Sequence, residues 1–310
     1  MKKIVMLVAT ALMTVSVASA QDINAVTDIY NNAATQLDID KNEALTLFQQ
    51  ALSEAEAVGD LGLEIAEQCK AIIPHLMISI AKDDIKASNF DAAHDMLVKA
   101  KEAADLYGNI EKAAEAEALV NQALMQKANA FLNAKDFTNA VLVYEQLMAI
   151  DATNANAALR LGQCYASLGN AAEAEKALLI AAANGQEKQA KKQLSNLFVK
   201  QAQAAYKAKN FQETIDFAVK SNEYLENANA YKFAGQAAFG LGKNAEALPF
   251  LEKYVELSPN AKDAVQMKYN IAATALKLGD KAKAKAYFEQ VLADPKFGPS
   301  AKQQLDALNK

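Results

Sequence analysis

The chain has no tryptophan, a single arginine, two histidines, two cysteines and only five prolines and eleven glycines in 310 residues. Each shortage excludes something. His75 and His94 have neither HExxH spacing nor a cysteine partner, so no zinc set, Ser-His-Asp or Cys-His arrangement can be assembled. No metal, cofactor or catalytic residue is therefore expected. One arginine, Arg160, in a chain of net charge −5 gives no basic-aromatic platform for nucleic acid. Without tryptophan, the exposed aromatic surface that carbohydrate sites usually need is missing. Cys69 and Cys164 fall on separate segments and read as small core residues rather than as a bridge. β-Branched residues are sparse beyond the first twenty positions, and strands are not expected.

What the chain does have begins with Met1-Lys2-Lys3, an apolar run from Ile4 to Val17, and Ala18-Ser19-Ala20 before Gln21. A basic start, a short apolar stretch and an A-x-A site describe a cleavable export signal over residues 1–20. The expected location is periplasmic or secreted, with no stable membrane anchor after cleavage, since no later run is long and apolar enough to span a bilayer. Alanine, lysine, glutamate, glutamine and leucine dominate the remainder, and all are helix formers. Charge is uneven: Gln21 to Ile150 holds 21 acids against 9 lysines, and Asp151 to Lys310 holds 21 bases against 16 acids. Exposed helix faces vary in this way without consequence, although two ends of opposite sign could also attract different partners or each other.

The organising stretch is ANAALRLGQCYASLGNAAEAEKALLIAAANGQ, from Ala155 to Gln186. Gly162 and Ala174 are small where two helices would cross closely. Leu161, Tyr165 and Leu178 are the large residues beside that crossing, and Leu168-Gly169-Asn170 separates the helices. Asn156, Gly162, Gln163, Leu168, Gly169, Glu173 and Ala174 recur 73 residues later as Asn229, Gly235, Gln236, Leu241, Gly242, Glu246 and Ala247. A related unit surrounds Ala128, Phe131 and Ala140, another Ala202 and Phe211, and a last one Ala272, Gly279 and Phe288. Toward the N-terminus the spacing lengthens, with long helices expected from Gly62 to Ala87 and from Ile110 to Ala134. Pro74 and Pro249 fall inside helical segments and should bend them. Pro299 opens a terminal helix.

This pattern, L-G-x-x-Y…A-x-x-x-L, resembles the tetratricopeptide repeat (TPR), with Leu178 in place of the usual phenylalanine. The resemblance implies an all-α, TPR-like α-solenoid of about seven antiparallel helix pairs plus a C-terminal capping helix. The expected organisation is a signal peptide at 1–20, TPR-like repeats with long helices at 21–119, a TPR array at 120–293 and a capping helix at 294–310. It also implies that the first helix of each pair lines a concave groove for a partner peptide or helix.

Immediately after the small slot stand Asn129, Gln163, Gln203 and Gln236, one per unit. If that slot faces the groove, these amides form a ladder of donors and acceptors suited to the main chain of an extended peptide. Tyr206 and Phe239, one turn further, would add apolar contact, and Arg160, Lys200 and Lys232 lie nearby. The last unit has Ala273 at the slot, so the ladder should stop there.

Other motifs fail on their context. Gly240-Leu241-Gly242-Lys243-Asn244-Ala245 imitates a dinucleotide-binding turn but joins two helices. Asp38, Asp40 and Asn42 imitate half a calcium loop, yet Glu43 and Gln49 occupy its obligatory positions, and helix capping by Asn42 accounts better for these residues. The sequence therefore reads as a non-catalytic scaffold or adaptor that binds a protein or an extended peptide of the cell envelope. The alternative is a self-assembling homo-oligomer that uses its acidic and basic halves.

Overall fold

The computed structural model describes residues 23–309, and the expected signal segment at 1–20 lies outside them. Every regular element among the described residues is helical, and no strand is present there. In chain order the helices are α1 (Ile23–Gln36), α2 (Lys41–Val58), α3 (Leu63–Lys86), α4 (Phe90–Leu106), α5 (Ile110–Asn133), α6 (Phe137–Ile150), α7 (Ala155–Leu168) and α8 (Ala171–Ala181). They continue with α9 (Glu187–Lys207), α10 (Phe211–Tyr224), α11 (Ala228–Gly240), α12 (Asn244–Leu257), α13 (Ala264–Lys277), α14 (Lys281–Glu289) and α15 (Gly298–Leu308). Short turns force consecutive helices to run antiparallel. The result is a TPR-like α-solenoid.

Two compact units divide the chain, residues 1–130 and 131–310. In the first, α1 packs on α2, α2 on α3 and α3 on α4. Its core is built on Phe48, Ile73, Ile78 and Leu97, all essentially fully buried. Cys69 is buried there as a free thiol. Pro74 sits within α3, which continues through it. The N-cap of α2 corrects the sequence reading. Asp40, not Asn42, accepts the hydrogen bonds, from the Asn42 and Glu43 backbone nitrogens. Asn42 is instead a residue of the first turn, two positions past the cap whose side-chain oxygen reaches the free N–H groups.

In the second unit α7 pairs with α8, α9 with α10, α11 with α12 and α13 with α14, and α15 packs on α14 as the terminal cap. Its core runs through Tyr144, Leu178, Leu194, Leu251, Ile271 and Phe288, and holds Cys164. One turn design recurs between the members of a pair. The residue at the bend takes a left-handed conformation, with φ of 63° at Ser88, 60° at Lys135, 85° at Gly169, 63° at Lys209, 73° at Gly242 and 82° at Gly279. The next amide closes the turn by donating back five residues, as Asn170 does to the Tyr165 carbonyl at 2.9 Å and Asn210 to the Ala205 carbonyl at 2.9 Å. Glycine fills this bend in half of those pairs; the others accept the backbone cost of a side chain.

A candidate groove of exposed amides and cations

The small slots of the repeat do what their size suggests. Gly162 and Gly235 are buried against Leu178 and Leu251 of the following helix, so the backbones of α7 and α8, and of α11 and α12, approach closely. Fixing this face against the second helix turns the residue after each slot away from the core. Gln163 and Gln236 are half-buried, and Gln203, which follows the buried Ala202, is exposed. Helix α9 touches both α7 and α11, so the first helices of three consecutive pairs lie side by side. The three glutamines therefore occupy equivalent positions on adjacent rods.

Asn129 lies on α5 within the first unit and is half-buried. Arg160 is exposed and donates from Nη1 to Gln163 Oε1 at 3.2 Å, one helical turn along the same face. Lys200 is exposed on α9. Lys232 is committed inward: its Nζ lies 3.1 Å from Asp263 Oδ2 and 5.5 Å from the centre of the Tyr254 ring. Tyr254 donates its hydroxyl to the other oxygen of Asp263. Burial, with the carboxylate's help, pushes the Tyr254 phenol up from its ordinary value. Burial also works against the charge on Asp263, but hydrogen bonds from Tyr254 and Lys232 outweigh it and hold the carboxyl below its usual range.

Tyr206 and Phe239 are half-buried and used in packing. Tyr206 lies 5.7 Å from Phe211 and 5.9 Å from Phe233, ring centre to ring centre. Phe239 packs against the core cluster around Leu251, with Lys277 Nζ 5.1 Å above its ring.

A second row of amides escaped the sequence reading. Asn156, Asn196, Asn229 and Gln266 stand seven residues before Gln163, Gln203, Gln236 and Ala273 respectively, and all four are exposed. Two helical turns separate seven residues, so both rows share one face. The recurrence of Asn156 at Asn229 was visible in the sequence, but only exposure distinguishes a surface amide from a capping one. Asn156 accepts from Gln186 Nε2 at 2.8 Å.

Three family models for the tetratricopeptide repeat match the chain, at residues 131–197, 199–262 and 265–293. The chain is a tetratricopeptide-repeat protein. The matches lie within the second unit and together cover about half of the sequence. Among solved structures, the MamA protein is 19% identical over 56% of this chain and 90% of its own, with a TM-score of 0.38. YrrB, described as a TPR protein with an unusual peptide-binding site, is 19% identical over 58% of this chain and 91% of its own, with a TM-score of 0.36. No curated protein sequence matches.

TPR arrays serve as protein-interaction modules, and nothing among the described residues points to catalysis. No group of three or more potential metal ligands occurs there. Gly240 ends α11 and Asn244 begins α12, so the glycine motif between them is a helix–helix turn. Among the described residues, no helix is long and apolar enough to cross a membrane.

Proposed function

We propose that this TPR protein is a non-catalytic adaptor that holds an extended segment of another cell-envelope protein in a concave groove lined by its first helices. The observation that carries this reading is the alignment of Gln163, Gln203 and Gln236 on the neighbouring rods α7, α9 and α11. An amide offers a donor and an acceptor at once, and can satisfy a peptide backbone whatever side chains the peptide bears. Arg160 and Lys200 flank the row, and Asn156, Asn196 and Asn229 extend it along each helix. Export to the periplasm or beyond rests on the signal-like first twenty residues. The partner would therefore be met outside the cytoplasm.

The test is a photoreactive residue placed at Gln203, compared with one at Glu213, which is exposed on the second helix α10. Crosslinking in intact cells should join one defined protein to position 203 and not to position 213. The triple substitution Gln163→Glu, Gln203→Glu and Gln236→Glu should weaken recovery of that protein. Equal capture from both positions, or undiminished recovery by the triple variant, would sink the groove reading.

A further inference from the structure

The charged residues of the second unit sort by helix. The first helices α7, α9, α11 and α13 carry one arginine and eight lysines against a single acid, Glu187. The second helices α8, α10 and α12 carry eight carboxylates against three lysines. Helix α14 departs from this, with three lysines and one glutamate, and it lies beside the cap at the end of the stack. Random variation along a solvated chain would not alternate helix by helix in this way. In a stack of hairpins, alternation along the sequence becomes a difference between two faces.

The cations of the first helices are mostly uncompensated. Lys191 pairs with Glu187 at 2.6 Å and Lys232 with Asp263 at 3.1 Å, and among the described residues no other cation of these four helices has a carboxylate in ion-pair range. On α9 the pattern is densest. Lys192, Asn196, Lys200, Gln203 and Lys207 are all exposed. At about 100° per residue they fall within a stripe roughly 80° wide. Lysines and amides therefore alternate along one line, beside the amide-bearing faces of α7 and α11.

Resting on the groove reading above, we propose that the occupant is an acidic polypeptide segment, bound extended, its carboxylates meeting Lys192, Lys200 and Lys207 and its main chain meeting the interleaved amides. A polyanion of nucleotides fits less well. The surface has one arginine, and the rings of Tyr206, Phe233 and Phe239 are half-buried in packing rather than open for bases to stack on. Like-signed cations held close together also raise the local potential, which draws an acidic chain in and repels a basic one.

The test uses the full chain and a labelled, end-blocked 12-residue peptide of alternating Glu and Gly, with Gln-Gly, Lys-Gly and oligothymidylate probes of the same length. Fluorescence anisotropy should show the Glu-Gly probe binding about ten-fold tighter than Gln-Gly at low salt, with Lys-Gly unbound. Raising salt from about 50 to about 500 mM should abolish the difference. The variant Lys192→Gln, Lys200→Gln, Lys207→Gln should lose about ten-fold in affinity for Glu-Gly. A control variant at the exposed Lys176, Lys281 and Lys302 should lose nothing.

Equal affinity for Glu-Gly and Gln-Gly, or equal loss in the two variants, would overturn the proposal. So would oligothymidylate binding as tightly through the same lysines. Low-salt self-association removed by the α9 variant would make a second copy's acidic first unit the occupant, and would overturn it too. A partner crosslinked from position 203 but indifferent to the three lysines would leave the groove standing and remove only its acidic specificity.

Discussion

A Cβ placed on Gly235 would lie 2.7 Å from Leu251 Cδ2 and 3.1 Å from the Leu251 backbone nitrogen. The same relationship appears two repeat pairs earlier, where a Cβ on Gly162 would lie 2.6 Å from Leu178 Cγ and 3.2 Å from the Ala174 carbonyl oxygen. Two rods thus cross with backbone nearly against side chain, and the space for a single methyl is already occupied.

Gly235→Ala should therefore destabilise the protein although alanine is the better helix former. The propensity gain is about 1 kcal/mol, and overpacking costs about 1–3 kcal/mol. Denaturant unfolding should show a net loss of about 1 kcal/mol. In the double variant Gly235→Ala, Leu251→Ala the loss should be smaller than the sum of the singles. A single alanine variant as stable as the parent would contradict this packing.

The bends at Lys135 and Lys209 should respond in the opposite direction. Their φ values of 60° and 63° put Cβ against the following carbonyl. Lys209→Gly relieves that clash, worth about 1–2 kcal/mol, and adds freedom to the unfolded chain, worth about 0.5–1 kcal/mol. A net gain of roughly 0.5–1 kcal/mol is expected from these terms. Gly169→Lys, at a bend with φ of 85°, should lose stability. The two substitutions measured side by side by thermal melting must shift in opposite directions.

Ser195 and Ser221 form a buried polar staple between α9 and α10. Their hydroxyls lie 3.0 Å apart, Ser195 Oγ donates to the Leu225 carbonyl at 3.1 Å and Ser221 Oγ to the Ser195 carbonyl at 3.0 Å. Asn227, the N-cap residue of α11, reaches Ser195 Oγ at 3.4 Å. Ser195→Ala strips the Leu225 carbonyl and the Asn227 amide of a shared partner, a loss of about 1–3 kcal/mol. Hydrogen exchange should quicken first at the α10–α11 turn rather than across the whole unit.

Glu115 supplies a pH signature. Hydrogen bonds from Lys112 and then Lys82, against a smaller opposing effect of burial, hold its carboxyl down at about 2 instead of 4.5. Lys82 lies 2.7 Å from Glu115 Oε1 on α3, and Lys112 lies 2.7 Å from Oε2 on α5 itself. Because the folded value is depressed, the stabilisation is fully present above pH 4.5 and fades as pH falls toward 2. Glu115→Gln should cost about 1 kcal/mol at pH 7, the discount reflecting a partly exposed site. The difference from the parent must shrink on acidification below 4.5. A constant difference down to low pH would refute the ion-pair origin.

Much of the architecture was open to reading because it depends on residue size at fixed spacing. Gly162, Ala174, Leu178 and their recurrences declare a helix crossing before any fold is known. The long helices expected at Gly62 to Ala87 and Ile110 to Ala134, and the terminal helix at Pro299, follow from propensity and punctuation alone. Capping was less legible: Asp40 and Asn42 are both competent cap residues, and the choice depends on a shift of two residues in where the helix begins. The bends at Ser88, Lys135 and Lys209 were hidden because no side chain there advertises a left-handed backbone; the Asn or Asp that follows is the only cue.

The linear order of residues, by itself, determined that this protein is a run of paired helices with small residues at the crossings, since those properties are local or repeat at a fixed period. It also set which residues follow each small slot. Only the tertiary structure decided which of those residues remain exposed and which are drawn inward. Lys232 and Lys200 sit near the same motif, yet Asp263 and Tyr254 claim the first, while the second stands beside Gln203 with no acid in range. The sorting of charge onto separate helices acquires meaning for the same reason: side-by-side packing of α7, α9 and α11 converts a pattern along the chain into a surface.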